Sequence, residues 1–233
     1  MKPINLQKCK MNQNIDIEHE KQIRQYVIKK LKKADIAHGF DHVECVVNMA
    51  RNIALRENAD LRIVIPSAYL HDIVSRNEVE RFDLHTEESA SEAKRFLGNL
   101  CFSPDEIDEI GKVIIASSYE SYLKGIEPES LEAKVVRDAD WLDAIGARGI
   151  ARVFVFAGHY DCPEMGKVEW DPDFPTKFVM SVSGPDPSPI YHFFSKLLWL
   201  KDLMLTETGR LEAEKRHQFM IDFLKRYKSE CVE

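Results

Sequence analysis

Six side chains in this sequence could jointly do metal chemistry: His42, the adjacent pair His71 and Asp72, and the closely spaced aspartates Asp138, Asp140 and Asp143. Each stands in a strongly apolar stretch. Burying an imidazole or carboxylate in such surroundings costs several kcal/mol unless the group is paired, and one shared divalent cation is the simplest partner that satisfies them all. Mixed nitrogen and oxygen donors suit manganese, iron, cobalt, zinc or magnesium. Taken singly, the residues carry less. A lone buried histidine is more often hydrogen-bonded within a core, and a lone aspartate more often pairs with a base. The adjacency of His71 and Asp72 is more informative. Neighbouring helix residues diverge by about 100°, so the two cannot both face one core, yet an ion lying between their directions is within reach of both.

The elements that must position these groups read as helices. Ile23, Val27 and Leu31 form one stripe at four-residue spacing over 16–33, with lysines and glutamates opposite. A second helix is expected from about Asp41, capped by it with Glu44 three residues on, which puts His42 in the first turn. The nearly all-apolar run 61–74 reads as a buried helix that Pro66 either starts or kinks, with His71 and Asp72 near its end. Further helices are predicted at 86–100, at 104–117 with Ser103 and Glu106 as a capping box, at 131–145, at 190–205 and at about 208–227. Gly146 and Gly149 are expected to loosen the chain after 145, and 157–189, with six prolines and three glycines, reads as a long irregular segment. The expected class is all-α, a single domain over 1–233 with a metal-binding core at about 35–156 and C-terminal helices at about 190–228.

At 233 residues and 44% hydrophobic composition the chain can bury a substantial core. A net charge of −7 argues against broad nucleic-acid binding, which needs a basic surface, while leaving room for a local basic pocket. The first thirty residues resemble no signal peptide, and no run approaches the roughly 20 apolar residues of a membrane span, so no membrane association is expected. The five cysteines are scattered and form no CxxC pair, which points to a reducing, cytoplasmic setting.

Four blocks in order carry a family resemblance: AHGFDHVECV at 37–46, AYLHDIV at 68–74, AKVVRDADWLDAIGARGIARVF at 133–154 and HFFSKLLWLKDLM at 192–204. The pattern resembles the HD-domain metal-dependent phosphohydrolases, and within them small stand-alone bacterial members of the YedJ and YpgQ type, over roughly 35–224. The resemblance implies an all-α HD helical bundle with additional C-terminal helices, and one divalent metal ion (Mn, Mg, Co, Fe or Zn) held by His42, His71, Asp72 and one aspartate of DADWLD. The family's AD-x-LD string maps its metal aspartate onto Asp140. On a regular helix Asp138 points about 200° away from Asp140, toward Val135, Leu142 and Ile145, so Asp138 and Asp143 are expected to support ligands and basic groups rather than to bind the ion themselves.

The chemistry so implied is hydrolysis of a phosphate ester or anhydride, with His71 and Asp72 at the reacting centre and a small phosphorylated molecule, most plausibly a nucleotide, as substrate. Cations for its phosphates are sought in His38, four residues before His42, and in Arg148, Arg152, His192 and Lys196 of the shared blocks. Ordinary salt bridging is the competing reading for each. Relatives with two metals use further histidines between the HD pair and the last aspartate. Only His85 lies in that interval here, and 114–120 reads IIASSYE, which favours one metal. Glu87 and Glu88 beside His85 could act as general acid or base, or simply favour the helix N-terminus. Tyr191, Phe193, Phe194 and Trp199 have the spacing of core aromatics rather than of a base-stacking platform, and His159 and Tyr160 fall in the irregular segment. The alternative to an enzyme is a non-catalytic sensor that binds a nucleotide or second messenger in an HD pocket.

Overall fold

The computed structural model describes residues 14–33, 39–74, 85–164, 169–177 and 186–231. Among these residues the regular structure is helical throughout, with no strand. The α-helices are α1 (Ile17–Lys30), α2 (Phe40–Glu57), α3 (Leu61–Leu70), α4 (His85–Leu97), α5 (Pro104–Ser117), α6 (Tyr119–Leu123), α7 (Leu131–Asp143), α8 (Gly146–His159), α9 (Pro189–Ser195) and α10 (Glu207–Cys231). None is long and apolar enough to cross a membrane.

The apolar stripes decide which helices meet. Val43, Val46, Val47, Ala50 and Ile53 of α2 face inward and pack on α3 and α7, while α5 packs against α3, α4 and α7. Ile65, Ile110, Ile114, Val135 and Leu142 are fully buried between them. Helix α10 closes the other side, lying along α8 and touching α2 and α7. Phe193 and Phe194 are fully buried, and the Trp199 indole donates to the Phe194 carbonyl, so this aromatic group belongs to the core.

The helix ends show where local chemistry governs and where it does not. Ser103 and Glu106 form the expected capping box of α5. At α2 the expected cap is replaced: Gly39 is the N-cap, no side chain caps the end, and Asp41 stands inside the first turn. Helix α3 carries Pro66 internally and stops at Leu70, so that His71 is its C-cap residue and Asp72 lies in the following turn, short of the predicted end at 74. The segment predicted as one helix over 190–205 divides into α9 and a 3-10 stretch at Leu197–Leu203.

The largest departure from expectation follows Ile145. Gly146 and Gly149 do not loosen the chain; they let α8 begin at once. Gly146 has φ +76, a left-handed conformation that side chains resist, and a Cβ on Gly149 would stand 2.1 Å from the Ala144 carbonyl oxygen. These glycines therefore bring α8 back tightly against the end of α7.

Candidate metal centre

Three elements place the polar cluster. His42 comes from the first turn of α2, His71 and Asp72 from the end of α3, and Asp140 from α7. His42, His71 and Asp72 each offer one ligand atom within 4.8 Å of the others. The two histidine Nε2 atoms are 3.3 Å apart, and Asp140 Oδ1 lies 3.5 Å from both. Asp72 Oδ2 approaches from another direction, 3.9 Å from His42 Nε2 and 3.8 Å from His71 Nε2. The histidines are buried, whereas the side chains of Asp72 and Asp140 are 14% and 22% exposed, so the cluster opens on its carboxylate side.

The far nitrogens of both rings are committed. His71 Nδ1 is 2.9 Å from the Ala68 carbonyl, which can only accept, so that nitrogen carries a proton. His42 Nδ1 is 2.7 Å from Asp143 Oδ2 and donates in the same way. The Nε2 atoms of both rings and two carboxylates thus converge on one point, a mixed nitrogen and oxygen donor set that a divalent cation would fit. The cluster also draws positive charge by titration. Burial acts to lower His71, but Asp72 and Asp140 outweigh it and raise its pKa to about 9. Burial lowers His42 to about 4, with Arg152 adding to the effect.

Asp143 supports this arrangement from behind. Its Oδ2 accepts from His42 and from Arg152 at 2.8 Å, and its Oδ1 accepts from Arg148 Nε at 2.5 Å. Burial opposes its charge, but His42 and the two arginines outweigh that and hold the carboxyl below its ordinary range. Arg148 also reaches back to the Asp41 carbonyl at 3.0 Å, joining α8 to the start of α2. The turn at Gly146 and Gly149 is what puts both arginines one contact from His42.

Other predicted site residues lie elsewhere. Asp138 is fully buried on the opposite face of α7, where it accepts hydrogen bonds from the backbone N–H groups of Leu205 and Thr206 and from the Thr206 hydroxyl. It fastens the chain ahead of α10 rather than orienting a ligand or a basic group, because its face of the helix is turned from the cluster. His192 pairs through Nδ1 with Asp186 at 2.7 Å, and Lys196 rests 4.4 Å over the Tyr119 ring, which in turn packs on Trp141. His38 lies outside the described residues. Glu87 pairs with Lys124 at 3.5 Å, Glu88 is exposed, and His159 and Tyr160 meet edge to face at the end of α8.

One residue omitted from the predicted site stands next to it. His85, the first residue of α4, is 1% exposed, and its Nε2 is 3.5 Å from Asp72 Oδ1. The sequence signal for it was its place between the HD pair and the last aspartate, which by spacing alone could not be tied to Asp72.

Comparison with known proteins fits this geometry. The model of the HD domain matches residues 39–145, which holds all four cluster residues. YpgQ of Bacillus subtilis is 35% identical over 90% of this chain and 92% of its own length. Its crystal structure in complex with ADP aligns at a TM-score of 0.67 with 32% identity, covering 92% of this chain and 95% of that one. A Lactobacillus plantarum structure aligns at a TM-score of 0.75 with 30% identity, covering 94% and 99%. An HD-superfamily hydrolase from Bacillus thuringiensis aligns at 0.67 with 30% identity, covering 91% and 96%. With the His, His-Asp and Asp positions of the motif gathered at one point on an all-helical frame, the chain belongs to the HD-domain family of hydrolases.

Proposed function

We propose that this protein is a metal-dependent phosphohydrolase that cleaves a phosphate ester or anhydride of a nucleotide. The observation that carries the reading is the convergence of the His42 and His71 Nε2 atoms with Asp72 and Asp140, backed by Asp143 and two arginines. His42, His71, Asp72 and Asp140 would hold one divalent ion. The chemistry such an ion supplies is acidification of water and neutralisation of phosphate charge.

The chain's own groups do the rest. Asp143 and the Ala68 carbonyl hold the two imidazoles with their Nε2 atoms inward. The carboxylate side of the cluster, where Asp72 and Asp140 are partly exposed, is the side on which substrate enters. Arg148 uses Nε and Nη2 on Asp143 and Asp41, and with 38% of its side chain exposed it can offer further N–H groups to a phosphate oxygen. A nucleotide is the favoured substrate because the YpgQ relative forms a complex with ADP.

The test is metal analysis of purified protein, then a screen for phosphate and pyrophosphate release from nucleoside phosphates with Mn2+, beside an Asp72→Ala variant. Turnover that needs the metal and is absent in the variant is expected, and the product identifies the bond cut. Wild-type protein that takes up metal and binds nucleotides without turnover would replace the enzyme with a sensor.

A further inference from the structure

The two oxygens of Asp72 face different neighbours. Oδ2 turns to the His42 and His71 Nε2 atoms at 3.9 and 3.8 Å, whereas Oδ1 lies 3.5 Å from His85 Nε2. We infer that His85 is a positioning residue for Asp72, its buried ring set against Oδ1 in an ion-pair contact so that Oδ2 is the oxygen turned to the ion. This rests on the reading of His42, His71, Asp72 and Asp140 as the metal site.

His85 has the placement such a task requires. It opens α4 and is almost completely buried, so its ring is held by packing rather than by solvent. The turn that carries Asp72 is tied to the same helix, since the Val74 N–H donates to Ser89 Oγ at 3.2 Å. On the other side the Thr86 hydroxyl donates to Ser118 Oγ at 3.3 Å, fixing the first turn of α4 against the start of α6. Both ends of the Asp72–His85 contact are therefore anchored to one helix. A carboxylate ligand with one oxygen tied keeps a single orientation, and loss of such a tie weakens metal binding by roughly 10- to 100-fold in comparable sites.

The experiment is calorimetric titration of Mn2+ into the metal-stripped full chain, with thermal unfolding of each stripped protein, for wild type, His85→Gln and His85→Leu. Gln can set an amide N–H near the Nε2 position; Leu fills the space without a donor. The inference expects one Mn2+ per chain, a dissociation constant raised roughly 10- to 100-fold in His85→Leu, and recovery toward wild type in His85→Gln, with the stripped proteins melting alike. Should His85→Leu fail to fold, His85→Glu against His85→Gln decides, with the carboxylate expected to lose affinity that the amide keeps. Equal Mn2+ affinity in wild type and His85→Leu overturns the inference while leaving the metal site standing. So does a His85→Gln as weak as His85→Leu, or a second Mn2+ in wild type that the Gln variant lacks. Wild type that takes up no Mn2+ overturns the metal site and the inference together.

Discussion

Asp138 and Asp140 stand two residues apart on α7, yet their surroundings are opposite. Asp138 is fully buried and faces donors: the Leu205 N–H at 3.0 Å, the Thr206 N–H at 2.7 Å and the Thr206 hydroxyl at 2.7 Å. Asp140 is part-exposed and faces two histidine Nε2 atoms at 3.5 Å. The first carboxylate is held by three donors of its own chain, although burial still raises its pKa, and it acts as a fastener between α7 and α10. The second faces the two ring nitrogens with which, in the proposed function, it would share a cation. What distinguishes the two acids is therefore the set of partners that the opposite faces of one helix encounter, since chemical type and local sequence are the same.

The sharpest way to break the comparison is to neutralise each acid in turn. Asp140→Asn should lower metal-dependent turnover by more than the roughly 100-fold that changes behind a ligand typically cost, with thermal stability of the metal-free protein retained. Asp138→Ala should do the reverse. It leaves the buried Thr206 N–H and the part-buried Leu205 N–H without their acceptor, which costs about 3 kcal/mol, read as a lower denaturation midpoint, while turnover per folded molecule persists. Equal activity losses in both variants would contradict the division of labour. The smallest change sharpens the fastener side. Thr206→Ala removes the hydroxyl that donates to Asp138 and accepts from the Gly209 N–H at 2.9 Å, and should cost about 1 kcal/mol, as loss of a helix cap does, with no change in Mn2+ affinity.

Particular residues show how much was legible beforehand. The stripe of Ile23 and Val27 and the Ser103–Glu106 capping box are local patterns, and α1 and α5 appear where these place them. The HD pair, His42 and the DADWLD string could be read as a ligand set because the four blocks occur in family order. Helix α8 was hidden because Gly146 and Gly149 carry the signal of a flexible joint; their real role, a left-handed turn and a close approach to the Ala144 carbonyl, exists only once α7 is present to be approached. The cap of α2 was misread because Asp41 has a capping side chain while the backbone enters the helix two residues earlier, at Gly39.

The sequence by itself determined the helical class and the residue types available for a mixed nitrogen and oxygen site, since both follow from short-range periodicity and motif order. Only the tertiary structure decided which nitrogen of each histidine faces inward, that Asp143 joins His42 to Arg148 and Arg152, and that His85 lies against Asp72. Those contacts join residues far apart along the chain or across a turn, and their geometry is set by how α2, α3, α4, α7 and α8 pack, which no local spacing encodes.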